Sequence, residues 1–177
     1  CVVVRDDKKE FYKKALSGTQ ISKKDVLGFF VWIPRFEYKL FNVEFKPVQE
    51  QMIEVKFVNI NEAKKNSIKN GLYYTHPAFS TEAGELNGFW IAKFEPSLND
   101  GVIEILSSKE TLVNLNMTEM WNYAINISAN YGLSVPSRII TNMEYGAIAV
   151  LTYSQYGKKN NSEYIGLEKL VFLNTAM

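Results

Sequence analysis

The order of periodic segments predicts an α+β protein: strand-like runs carry the chain to about Leu106, two helices with their own start signals follow, and a strand closes it. No regular strand–helix–strand alternation is present, so a doubly wound parallel sheet is not expected. Its 177 residues suit a single domain.

The first element is a short helix. Asp6 to Leu16 starts acidic, centres on Phe11-Tyr12, carries Lys13-Lys14 near its end and precedes Gly18, the charge order that complements a helix dipole. From Gly28 to Val43 the run GFFVWIPRFEYKLFNV is dense in aromatic and β-branched residues, and Phe36, Tyr38 and Leu40 alternate with Glu37 and Lys39. That pattern predicts a strand pair or one long bent strand. Pro34 lacks a ladder donor, so the bend or a sheet edge belongs there.

Met52 to Val58 alternates again, with Ile53, Val55 and Phe57 on an inner face and Glu54 and Lys56 on the outer one. Asn59 to Gly71 is polar and predicts a loop or a short surface helix. GFWIAKF, from Gly88 to Phe94, predicts a third strand, and Val102 to Leu106 a fourth beyond a turn at Ser97 to Gly101.

Asn116 and Glu119 form an N-cap pair ahead of Met120, Trp121, Ala124, Ile125 and Ala129, and Gly132 closes that helix. Thr141 and Glu144 form a capping box for a second helix through Met143, Ala147, Ile148 and Leu151, ending before Gly157. A last strand is predicted at Leu167 to Leu173.

With 46% hydrophobic, 14% aromatic and 22% charged residues, the chain can bury a core and does not resemble a disordered tail. A net charge of +1 provides no field toward nucleic acid or anionic lipid, and the lysine pairs are scattered as solvated surface. The longest apolar stretch, Val26 to Ile33, is far short of the roughly 20 residues of a membrane span. Because the chain opens on Cys1 without an initiator Met, a processed or cut product is expected.

Cys1 is the only cysteine, which excludes an internal disulfide and a cysteine-based zinc site. Three readings of it stand: a lipidated terminus that would anchor the protein to a membrane, a half-cystine with an upstream partner, and an ordinary strand residue.

No phosphate-cradling glycine loop and no nucleophile elbow occurs. The single histidine, His76 in YYTHPAFS, is expected to tie loop backbone together, and one histidine cannot build a histidine-based metal cluster. Carboxylate pairs among Glu82, Glu85, Glu95 and Glu104 are too easily explained by abundance to suggest catalysis. No catalytic residue, cofactor or metal site is therefore expected. Glu95-Pro96-Ser97 followed by Leu98-Asn99-Asp100 is similar in wording to the calcium–sugar ligands of true C-type lectins. Those ligands come from separate segments, whereas these two pieces adjoin, so a turn is the simpler expectation.

Aromatic residues are the unusual resource. Trp32, Trp90 and Trp121 each sit in an apolar periodic segment and are expected in the core. Tyr153, Tyr156 and Tyr164 bracket the loop Lys158-Lys159-Asn160-Asn161, a mixture of tyrosines and adaptable polar groups that binding faces use. Tyr153, Tyr156, Lys158 and Tyr164 are the candidate ligand-binding residues.

FVWIPRFEYKL, then HPAF with ELNGFWIAKFE, then SVPSRIITNMEYGAIAVLTYSQYG, resemble in order the domains related to the formylglycine-generating enzyme and sulfatase-modifying proteins. The matching pieces are Val31 to Pro34, Phe89 to Glu95 and Pro136 to Ala149, with Tyr145 where the family often carries Trp, and the resemblance spans residues 26–157. VLGFFVWIPRFEYKL, THPAF, ELNGFW and NMEYGAIAVLTYSQYG are similar to segments of secreted proteins of Firmicutes and related gut bacteria. Those proteins carry this domain behind a pilin-like N-terminal helix. The resemblance implies a C-type-lectin-like fold, a twisted antiparallel sheet with two main helices and long loops. Residues 1–25 would be a lead-in and 158–177 a loop and closing strand.

The enzyme branch of that family works through two cysteines in its C-terminal part, and this chain has none after position 1, so the resemblance implies binding without catalysis. The family's final "G.V.EW" segment is also missing. The apolar tail Leu167 to Met177 needs burial, and a chain ending early or a last strand supplied by a neighbouring subunit is one expectation there.

The expected function is an extracellular surface-binding or adhesion module, or a self-associating subunit of a pilus-like filament. Its loops around Lys158 to Tyr164 and Ser97 to Gly101 would face a host-surface glycan or protein. The alternative expectation is a structural or receptor-binding protein of a phage virion, and an enzyme of the parent family comes third.

Overall fold

The computed structural model describes residues 1–39, 53–62, 73–157 and 173–175. In chain order the elements are β1 (Val2–Val4), α1 (Asp6–Lys14), β2 (Val26–Pro34), β3 (Phe36–Lys39), β4 (Glu54–Phe57), β5 (Tyr74–Thr75), β6 (Ser80–Thr81), β7 (Gly84–Glu85), β8 (Gly88–Ala92), β9 (Ser97–Asn99), β10 (Val102–Glu104), α2 (Met117–Asn130), β11 (Ser137–Ile139), α3 (Asn142–Thr152) and β12 (Leu173–Thr175). This is a mixed α/β protein with small antiparallel sheets. Its backbone contacts divide into two compact units, one of Cys1–Trp32, Trp90–Ile139 and Gly166–Met177, the other of Ile33–Phe89 and Ile140–Ile165.

The first unit is built on a five-stranded sheet of order β1-β2-β8-β12-β11. β12 runs antiparallel to both of its neighbours, with Asn174 opposite Ile91 and Arg138. The last strand therefore comes from the chain itself and not from a neighbouring subunit, and it lies at the end of the tail. Residues 167–172 of the predicted strand lie outside the described residues.

Leu27, Phe30, Ile103, Ile105, Ala124, Ile127 and Tyr131 form the core of this unit. Tyr131 is fully buried, and its hydroxyl faces two carbonyls, Leu27 O and Ile103 O, each at 2.9 Å. Burial, and then the charge of Glu104, push its phenol far up, so it stays a donor.

A side chain at Gly28 would enter this packing, because a Cβ there would lie 3.1 Å from Ile105 Cβ and 3.2 Å from the Tyr131 ring. Gly28→Ala is therefore expected to destabilise the protein by about 1–3 kcal/mol through overpacking. A urea midpoint unchanged from the parent would refute that tightness.

β9 and β10 form a hairpin in which Asn99 pairs Val102 across Asp100 and Gly101, both at positive φ (48° and 79°). A two-residue loop of this conformation matches the right-handed strand twist, and Asp-Gly is among its preferred pairs. The turn expected at Ser97 to Gly101 is thus only Asp100-Gly101, and Ser97–Asn99 is strand instead of a ligand-facing loop.

Glu104, at the end of β10, is buried, and its carboxylate meets Arg5 at 3.1 Å, Lys109 at 3.2 Å and Asn99 Nδ2 at 3.1 Å. α2 opens with the expected capping box, Asn116 and Glu119 each accepting the other's backbone N–H at 3.0 and 2.8 Å. Lys9 of α1 donates to Tyr131 O at 2.7 Å, placing a cation where the carbonyl end of α2 is negative.

The second unit holds the three-stranded sheet β4-β3-β5 and the hairpin β6-β7. The strand break falls just after Pro34, as its missing donor predicts. Arg35 is buried there, pairing with Glu85 at 2.6 Å and donating to Phe79 O and Leu86 O. Phe36, Phe79 and Phe89 are fully buried and meet ring to ring, with centroids 5.2 and 5.6 Å apart. α3 has its capping box between Thr141 and Glu144 and packs on the short turn Pro77–Phe79.

Several inward assignments are corrected. Trp121, expected in the core, is 52% exposed, as are its neighbours Met120 and Ile125 in part. The buried line of α2 runs through Ala124, Ile127 and Tyr131, at i, i+3 and i+7, and leaves Met117, Trp121 and Ile125 along a flank at i, i+4 and i+8. Phe57, expected beside Val55 on the inner face of β4, is 45% exposed, because only Val55 of that strand is covered. Met143 of α3 and Ala129 of α2 are also exposed. Trp32 and Trp90 are half-buried, with ring centroids 5.2 Å apart.

Candidate functional site

The outer edge of β4 would carry unpaired backbone groups, and the residues after α3 cover it. Tyr153 O accepts the Ile53 N–H at 3.1 Å. The Gln155 amide acts as a short strand in side-chain form: its Oε1 accepts the Val55 N–H at 2.9 Å and its Nε2 donates to Val55 O at 2.7 Å. This blunts an edge that could otherwise recruit another strand. It also sets Tyr156 beside Phe57, ring centroids 4.7 Å apart at 40°.

An open groove of about 760 Å³ lies against this edge, lined by Ile53, Glu54, Val55, Lys56, Tyr73, Gln155 and Tyr156. Tyr73 donates its hydroxyl to Glu54 Oε2 at 2.8 Å, which raises its pKa above the ordinary phenol value. The Lys56 ammonium sits 3.8 Å from the centre of the same ring, and Lys39 lies 3.8 Å from Glu54. The charges at the groove are thus arranged around a tyrosine, which orders them without deep burial.

Of the candidate binding residues, Tyr156 lines this groove and is 56% exposed. Tyr153 is exposed but forms the C-cap of α3 outside the lining, so the two tyrosines do not converge. Lys158 and Tyr164 lie outside the described residues. Sequence reasoning missed Phe57, Tyr73, Glu54, Lys56 and Gln155. The alternation of Met52 to Val58 located their strand, but not which side of it stays open.

His76 is 6% exposed and serves the structure as expected: Nδ1 accepts the Ala78 N–H at 3.2 Å and starts the turn Pro77–Phe79. Burial lowers its pKa to about 4. A second cavity, in the first unit, has a volume of about 310 Å³ and is mostly apolar, with Pro96, Leu112, Val113, Met120, Tyr123 and Ile139 among its walls. Glu95, the head of the lectin-like wording, lies on that wall and accepts a hydrogen bond from Thr111 at 2.5 Å. Among the described residues, no group of three or more His, Cys, Asp or Glu could hold a metal ion. None of the helices described is long and apolar enough to cross a membrane.

What these features define is a shallow, mixed aromatic and polar face on a small α/β framework. Neither the protein-family models nor the curated proteins compared with the chain give a match.

Proposed function

We propose that the protein is a non-catalytic surface-binding or adhesion module with a C-type-lectin-like domain, taking a host-surface glycan or protein segment at the groove beside β4. The observation that carries the reading is the exposed Tyr156, its ring paired with Phe57, lining a groove with Tyr73, Glu54 and Lys56. Aromatic faces supply most of the affinity of small polar-rimmed sites, and nearby carboxylate and ammonium groups orient hydroxyl or amide groups. An open groove suits an extended ligand better than a small molecule that must be enclosed. The capped helices and the antiparallel strands support the proposed fold. The extracellular location and the link to a pilus-like or virion assembly rest on the family resemblance.

The test is binding of the purified protein to immobilised glycans and to cultured cells. Phe57→Ala combined with Tyr156→Ala is expected to weaken that binding by at least about tenfold. Both side chains are half exposed, so the melting temperature should stay close to the parent's. Undiminished adhesion by the folded double variant would remove the site assignment.

A further inference from the structure

The cavity of the first unit is walled by four stretches of chain. Pro96 follows β8, Leu112 lies on the strap of residues 111–115 ahead of α2, and Tyr123 and Ile139 come from α2 and β11. Two bonds fix the strap against the end of β8. Leu112 N–H donates to Pro96 O at 2.9 Å, and the Thr111 hydroxyl donates to Glu95 Oε2 at 2.5 Å. The walls are thus tied together by main chain and side chain before anything enters, so a guest need not order them.

One group on this lining carries charge. Glu95 is half-buried, and among the described residues its partner is the Thr111 hydroxyl, with no Lys or Arg at ion-pair distance. Glu104 is the contrast, because its carboxylate meets both Arg5 and Lys109. A hydroxyl supplies one proton and no charge, so the charge of Glu95 and most of its acceptor capacity are left for solvent or a ligand.

That asymmetry selects the occupant. A neutral apolar guest would strip water from the carboxylate and offer nothing in return, and an anion would be repelled. An ammonium makes a charge-assisted hydrogen bond to Glu95, while a hydrocarbon body covers Leu112 and Ile139 and meets the aromatic ring of Tyr123. The volume of about 310 Å³ lies at the lower end of the roughly 300–1,000 Å³ range of small-molecule sites. At about 30 Å³ for each water-sized group it has room for about ten heavy atoms, twice what one inserted lysine side chain brings. A free small molecule therefore fits better than a side chain of another protein.

We propose that this cavity binds a small primary amine with an apolar body, Glu95 receiving the ammonium and Leu112, Tyr123 and Ile139 covering the hydrocarbon part. The site shares no residue with the groove beside β4 and stands independently of the adhesion reading.

The experiment is isothermal titration calorimetry of the full chain with phenethylamine, beside phenethyl alcohol and phenylacetate as its neutral and anionic counterparts. The amine is expected to bind saturably, the alcohol at least about tenfold more weakly, and the anion not at all. Glu95→Gln keeps an oxygen for the Thr111 hydroxyl, so the strap stays tied and the melting temperature should hold. It should weaken the amine at least about tenfold and bring it level with the alcohol. The proposal is overturned if the amine fails to bind up to its solubility limit, or if the parent takes amine and alcohol alike. Amine binding that Glu95→Gln leaves unchanged overturns it as well. The ligand series on the parent alone decides the charge preference, whatever the variant's stability.

Discussion

Removing both cations that meet Glu104, in the double variant Arg5→Ala with Lys109→Ala, is expected to destabilise the protein by about 3 kcal/mol or more. Each cation is 40% or more exposed at its side chain and screened by solvent, so either substitution alone should cost only about 1 kcal/mol. The carboxylate differs, because it is 3% exposed and once both cations are gone it keeps, among the described residues, only the Asn99 amide. A buried charge without a counter-ion is what makes the double change exceed the sum of the single ones. Adding Glu104→Gln to the double variant should recover most of the loss, since the amide is neutral and still accepts from Asn99. Urea unfolding of the four variants beside the parent measures this. Simple additivity, or no recovery with Gln, would show that Glu104 is solvated and that the ion pairs are ordinary surface contacts.

The second large effect is a loss of stability on acidification that traces to one side chain. His76 titrates at about 4 in the folded protein against 6.5 when unfolded, because burial disfavours the imidazolium. The proton on Nδ1 would also compete with the hydrogen bond it accepts from Ala78. Between those values the unfolded chain binds the proton and the folded one does not, so stability falls as pH is lowered. The contribution is complete above pH 6.5, declines through the window and is spent below pH 4, a total of about 3 kcal/mol. His76→Asn keeps an acceptor at the start of the turn and cannot titrate, so its stability difference from the parent should vary with pH only inside that window. A difference independent of pH from 7 to 4 would contradict the assignment.

Local signals in the chain were sufficient for its helix starts and its main strand break. Both capping boxes form where Asn116/Glu119 and Thr141/Glu144 predicted them, since each needs only a side chain reaching a backbone N–H three residues away. The dipole-ordered charges of Asp6 to Lys14 predicted α1, and Pro34 predicted the break between β2 and β3. The Asp100-Gly101 hairpin was equally local and was legible in the dipeptide, although a broader turn was expected. His76 was read correctly because Pro77 beside it already implied a turn.

The binding face was only partly legible. Tyr156 stood out as a tyrosine near an amide- and lysine-rich loop, whereas its ring partner Phe57 and the groove residues Tyr73 and Gln155 come from three separate stretches and reach it only in the fold. Periodicity identifies two faces of a strand or helix but not which of them another element will cover. Phe57 shares its face with Val55, and Trp121 precedes Ala124 by one turn, yet Val55 and Ala124 are buried while the two aromatic residues are not.

The sequence by itself therefore determined where α1, α2 and α3 start, the strand break at Pro34, the core residues of α2 and α3 closest to their packing lines, and the role of His76. These follow from hydrogen bonds and sterics spanning a few residues. Only the tertiary structure decided which apolar faces remain open, which cations reach Glu104 and that β12 fits between β8 and β11. Each of those depends on contacts between residues distant in the chain, for which local pattern carries no information.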